Sequence, residues 1–173
     1  MNALYLAVLT IYLAAQIVRF GYEQLKKAGR IDPENPRLFV VILGVKLLMW
    51  ASWFIMCPWD PSRITSPAVV HWIGLAAVIV GLGVAIGGLL QLGGVENIDH
   101  LATTGVYSRL RHPMYTGFIL WIIGWAAYHG AVISLVAGCV GIANILYWRW
   151  LEERALESRY GEVYRGYRKA TWF

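Results

Sequence analysis

The chain has 173 residues, of which 58% are hydrophobic and only 14% charged. That balance is too apolar for an ordinary soluble domain and fits a chain built for a bilayer. The net charge of +5 does not point to nucleic acid, because the basic residues lie in loops between apolar runs, where they orient a membrane protein.

The first apolar run covers about residues 3–20. No basic segment precedes it, so a cleaved signal peptide is not expected. A basic loop follows, with Arg19, Lys26, Lys27, Arg30 and Arg37. The second run, 38–57, closes at Pro58 and holds Lys46 inside it. A charge within a span is either functional or a snorkelling side chain. The third run, 68–90, repeats glycine every seven residues at Gly74, Gly81 and Gly88, and adds a small-xxx-small pair at Gly83 and Gly87. Both patterns predict close helix packing. The fourth and fifth runs, 114–129 and 131–148, break at His129 and Gly130. Together they are too long for one span of about 20 residues, so they read as a tight helical hairpin turning at Gly130.

The expected fold is therefore all-α. It is an integral membrane bundle of about five transmembrane helices, with spans 4 and 5 as a hairpin and an amphipathic C-terminal helix at the interface. In that last helix Leu156, Tyr160, Tyr164 and Tyr167 share helical spacing. They predict an aromatic face laid on the membrane surface, able to form a lid. No linker or repeat divides the chain, so 1–173 reads as a single domain. Cys57 and Cys139 lie in different apolar runs without metal-like spacing, which predicts buried hydrophobes rather than a disulfide or a metal site. Of the 15 basic residues, 13 fall on one side of these spans, and only Arg63 falls on the other. The positive-inside rule then puts the N-terminus outside and the C-terminus in the cytoplasm.

Two polar clusters interrupt this apolar chain. One is HLATTGVYSRLRHPMYTG, residues 100–117, and the other is RWLEERALESRYGEVYRGY, residues 149–167. Both fall on the cytoplasmic side, one entering span 4 and the other leaving span 5. A hairpin would make them neighbours at one membrane face and let them build a single pocket at its rim. Pro113 suits a helix start, because its missing N–H would be unpaired there anyway. Arg111 and His112 stand just before it, at the positive end of the helix dipole, which favours an anion. Glu152 and Glu153 point about 100° apart on a helix. One can face the pocket while the other meets the tail or a second ligand group. Such carboxylates suit an ammonium or a ribose diol. A ligand with a carboxylate, an ammonium, a ribose and a flat base satisfies the whole set. Taken singly, the arginine-rich loop reads more readily as a topology signal and headgroup contact, and the Glu-Glu pair as a solvated face. Their convergence is what points to a site.

At these residues the chain resembles the isoprenylcysteine carboxyl methyltransferase family, part of a wider group with phospholipid N-methyltransferases. The first element matches through His100, Leu101, Gly105, Tyr107, Arg111, His112, Pro113, Tyr115 and Gly117, with Ala102 where the family favours valine. The second matches through Arg149, Glu152, Glu153, Tyr160, Gly161, Tyr164 and Tyr167. The resemblance implies a membrane methyltransferase that uses S-adenosylmethionine and takes a lipophilic acceptor from the bilayer. It carries a cofactor-binding role to His100, Leu101, Tyr107, His112, Tyr115, Glu152 and Glu153. Residues 91–173 then form the cofactor region and the spans of 1–90 the acceptor side. Arg111 or Arg149 is expected to hold an acceptor carboxylate through its planar fork. An amine acceptor would need a base, and none is plainly spare. Three alternatives remain at this point. They are a phospholipid or amine N-methyltransferase, a relative of the NADPH-binding sterol reductases, and a non-catalytic membrane scaffold. Neither a metal nor nucleic acid is expected as a partner.

Overall fold

A computed structural model describes residues 2–32, 35–92 and 101–173. The regular structure is helical throughout: α1 (Ala3–Lys27), α2 (Pro36–Met56), α3 (Ala68–Leu92), α4 (Pro113–His129) and α5 (Val132–Ala170). Short 3-10 turns occupy Cys57–Trp59 and Gly105–Ser108. The all-α expectation holds. Among the described residues, α1, α2 with its 3-10 extension, α3 and α5 are long and apolar enough to cross a membrane. With 17 residues, α4 stands at the short end of the spanning range. Large side chains such as Val40, Leu47, Trp72, Ile79 and Leu90 face outward, as in a helix solvated by lipid rather than water. The chain is built as a multi-pass membrane protein.

Local chemistry explains where the helices begin. Asn2 Oδ1 accepts the Leu4 N–H at 3.1 Å and caps α1. Asn35 Oδ1 accepts the Arg37 N–H at 3.0 Å and caps α2, with Pro36 in the first turn. Helix α4 starts at Pro113, as the sequence predicts.

The described residues divide into two compact units. One comprises residues 1–71 and 126–144, the other 72–125 and 145–173. In the first, Asp60 is buried beside the start of α5. Its Oδ2 accepts the Ser134 N–H at 2.6 Å and the Tyr5 hydroxyl at 3.4 Å, and its Oδ1 accepts the Ser62 N–H at 2.8 Å. Asp60 thus satisfies an N–H that the first turn of α5 would otherwise leave orphaned. The α4–α5 hairpin turns at Gly130, whose φ of 63° suits glycine. Ile64 N–H donates to Gly130 O at 2.9 Å and Val132 N–H to Ser62 O at 3.2 Å, which ties this turn to the α2–α3 loop.

In the second unit the glycine heptad packs α3 antiparallel to α4. A Cβ on Gly81 would lie 2.6 Å from Gly117 O, one on Gly88 2.8 Å from Pro113 Cγ, and one on Gly124 2.6 Å from Gly74 O. Gly117 and Gly124 repeat the same seven-residue spacing on the facing helix. Gly83 meets nothing within 4 Å, so the predicted Gly83–Gly87 pair is not part of this contact.

Helix α5 covers 39 residues, and its unbroken part before Gly161 runs about 44 Å at 1.5 Å per residue, longer than a hydrocarbon core of about 30 Å. Its polar second half therefore extends beyond the apolar stretch. It breaks at Gly161, with φ 52° and ψ −123°. The tail then folds back on the chain. Trp172 N–H donates to Arg109 O at 2.8 Å, and Arg111 N–H to Trp172 O at 3.0 Å. Tyr164 is buried, so part of the expected aromatic face is used inside the protein.

Candidate functional site

The two polar clusters meet within the second unit. Pro113 starts α4 and leaves His112 at its threshold, buried against α5. The imidazole lies between the adjacent carboxylates. Its Nε2 is 3.2 Å from Glu153 Oε1, and its Nδ1 is 3.7 Å from Glu152 Oε2. Tyr115 stacks on the ring at 5.5 Å and 18°. Burial opposes a charge on His112, but the two carboxylates outweigh it and hold its pKa above the ordinary imidazole value.

Glu153 is the hub of an ion network. Besides His112, its Oε1 receives Arg111 Nε at 3.3 Å and Arg149 Nη2 at 3.1 Å. The His112 hydrogen bond and the two guanidiniums hold its carboxyl well below the usual range, against the opposing effect of burial. Arg111 is further committed to the tail, donating from Nη1 to Arg168 O at 2.8 Å and to Thr171 O. The Arg149 guanidinium lies 4.2 Å over the Phe173 ring, while its Nε has no partner among the described residues.

Beside this network is a small, half-open cleft whose enclosed room is only about 30 Å³. Leu101, Tyr107, Arg111, His112 and Glu152 line it, together with Leu92, Ala102, Leu156, Tyr164 and Tyr167. The loop wall is fixed to the end of α3 by Gln91, whose Nε2 donates to Thr104 O at 2.6 Å and whose Oε1 accepts the Val106 N–H at 3.0 Å. Tyr107 donates to Gly88 O at 3.4 Å, and Tyr167 donates to Tyr107 O at 2.6 Å. Burial raises the phenol pKa of Tyr107 and of Tyr167 to about 12, and raises that of Tyr164 as well. All three are protonated at neutral pH, so they donate hydrogen bonds and do not act as bases.

The sequence-predicted residues thus separate into layers. Leu101, Tyr107, Arg111, His112 and Glu152 reach the cleft. Glu153 and Arg149 belong to the ion network, with Tyr115 packed on His112. His100 lies outside the described residues. The side chains not predicted for the site, Leu92, Ala102, Leu156, Tyr164 and Tyr167, form its other walls. The tyrosine spacing was a visible signal for two of them, but the reversal at Gly161 decides where they point.

The phospholipid methyltransferase family model matches residues 69–163, which include Arg149, Glu152, Glu153 and Leu156 of α5 but not Tyr164 or Tyr167. Over 95% of its length the chain is 27% identical to the chloroplastic 15-cis-zeta-carotene isomerase of Arabidopsis thaliana, covering 48% of that protein. An 81-residue stretch is 34% identical to the protein-S-isoprenylcysteine O-methyltransferase of Schizosaccharomyces pombe, covering 43% of this chain and 32% of that one. A probable protein-S-isoprenylcysteine O-methyltransferase of Oryza sativa subsp. indica is 29% identical over 91% of this chain and 90% of its own. The chain therefore spans about half or less of the isomerase and the fission-yeast enzyme, and nearly all of the rice protein. No solved structure matches.

Proposed function

The chain belongs to the phospholipid methyltransferase family, and from that premise we propose that it is an integral membrane methyltransferase acting on a lipophilic acceptor with S-adenosylmethionine as donor. The observation that carries this reading is the cleft itself. Glu152 and Tyr164 both line it, and the Tyr164 hydroxyl is buried without a partner among the described residues. The donor's ammonium and ribose suit the carboxylate, its flat base suits the tyrosine rings, and a buried hydroxyl calls for an acceptor. The residues present therefore fit the group.

When bound, S-adenosylmethionine supplies a methyl already activated on sulfonium. The protein's task is then to bind, align and keep water out. Leu101, Tyr107, His112 and Glu152 form the cofactor wall in this reading. Tyr115 and Glu153 position His112, and His100 completes the set carried over from the resemblance. Both arginines pair with Glu153, but Arg149 keeps an unspent Nε while Arg111 is also bound to the tail carbonyls, so Arg149 is the better choice to hold an acceptor carboxylate. The protonated phenols and the paired His112 offer no spare base, which favours an acceptor that is already anionic over an amine. The whole chain acts as one methyltransferase domain, with 91–173 as the cofactor region and 1–90 meeting the acceptor's apolar tail. The N-terminus lies outside, and the C-terminus and cofactor site lie in the cytoplasm.

Titration calorimetry in detergent tests this. S-adenosylmethionine or its demethylated product should bind, and NADPH should bind more weakly. Preferential NADPH binding would overturn the reading. A second reading, isomerisation of an apolar polyene, is favoured by the likeness to 15-cis-zeta-carotene isomerase, which extends over 95% of the chain. Mass spectrometry of lipids from membranes with and without the protein separates the two. Methyl transfer yields species one methyl heavier, whereas isomerisation yields species of unchanged mass.

A further inference from the structure

Three tyrosines line the cleft, and their hydroxyls differ. Tyr107 donates to Gly88 O at 3.4 Å and Tyr167 to Tyr107 O at 2.6 Å, so both are spent within the protein. Tyr164 is 0% exposed, and its hydroxyl has no hydrogen-bond partner among the described residues. A hydroxyl withdrawn from water without a partner is costly, and natural chains rarely keep one for packing that phenylalanine would serve. It follows the break at Gly161, where the chain turns back toward the cleft. Glu152 lines the same cleft beside Arg111 and His112, so charged groups of a ligand have their own partners there and the hydroxyl is left for an uncharged atom. We propose that Tyr164 is a ligand-binding residue whose hydroxyl donates to a neutral acceptor atom, a ring nitrogen or ribose oxygen, of a nucleoside held in the cleft. This rests on the reading of the cleft as a nucleoside-cofactor site.

The test uses the full chain in detergent, as wild type and Tyr164→Phe. Each is titrated by calorimetry with S-adenosylhomocysteine and with methylthioadenosine, which keeps the nucleoside and lacks the amino-acid portion. Melting temperatures are measured without ligand. Tyr164→Phe should weaken both ligands by the same factor, about tenfold. Its unliganded melting temperature should be unchanged or higher, because the substitution removes a donor that nothing satisfies. Wild-type affinity in the variant overturns the proposal. So does a loss confined to S-adenosylhomocysteine, which would place the contact on the amino-acid portion. A lower unliganded melting temperature overturns it as well, because the hydroxyl would then be structural. If wild type binds neither ligand, the cofactor reading itself fails, and this inference fails with it.

Discussion

Glu152 and Glu153 are neighbours in sequence with different surroundings. The Glu153 side chain is 18% exposed and bonded to one histidine and two arginines, whereas that of Glu152 is 34% exposed and lines the cleft. Glu153→Gln removes the anion that balances Arg111 and Arg149, so it should destabilise the fold by about 2 kcal/mol, seen as a lower melting temperature. Glu152→Gln should leave melting almost unchanged and weaken S-adenosylhomocysteine more than tenfold, about 1.4 kcal/mol. The reverse pattern would exchange their roles. His112 gives a pH signature. Its pKa is raised, so its ion pairs stabilise fully below the ordinary value and are lost as pH rises through the raised one. Glu153 is shifted the other way, and its contribution is lost only well into acid. The melting-temperature advantage of wild type over His112→Asn should therefore shrink as pH rises above the ordinary imidazole range. An advantage that grows with that rise would mean the imidazole is neutral in the fold.

At the scale of elements, α3 and α4 meet through glycines, so backbone rather than side chain sets their approach. Gly81→Ala would push a methyl against Gly117 O, 2.6 Å away, while Gly83→Ala points into open space. The first should lower the melting temperature by several degrees and the second should not. Equal effects would remove the packing argument. Gly161 presents a different problem, because nothing crowds it but its backbone lies at φ 52°. Gly161→Ala should cost about 1–3 kcal/mol in backbone strain and loosen the tail, measured as faster hydrogen exchange over residues 162–170. Unchanged exchange there would show that the break tolerates a side chain.

For the whole molecule, the distribution of basic residues, 13 on one side against Arg63 on the other, predicts one orientation. In intact cells, an impermeant thiol reagent should label a cysteine placed at position 62 and leave one at 161 untouched. The opposite result would invert the proposed topology. The bond from Ile64 to Gly130 adds an independent check, because the α2–α3 loop and the α4–α5 turn share an end of their unit. A cysteine at 130 should be labelled with 62 and not with 161.

The sequence alone determined the helical class, the number and order of the apolar segments, the turn at Gly130, the start of α4 at Pro113 and the family likeness. These follow from local rules. A bilayer demands apolar runs of fixed length, and the residues of a family motif keep their spacing. The sequence also named five cleft residues, Arg111, His112 and Glu152 from clusters that a hairpin of spans 4 and 5 would bring together, and Leu101 and Tyr107 through the family resemblance alone. The division of labour between Glu152 and Glu153 was left to the tertiary structure. A 100° step on a helix says that they differ, but only the positions of Arg111, His112 and Arg149 decide which one is spent. Tyr164 is the clearest case. Its helical spacing with Leu156 and Tyr160 predicted a membrane-facing stripe. The positive φ at Gly161 breaks that periodicity, and the grip of Arg111 on the Arg168 and Thr171 carbonyls folds the tail back over the cleft. Periodicity carries across a helix only while the helix continues, and where it stops, contacts distant in sequence choose the direction of each side chain.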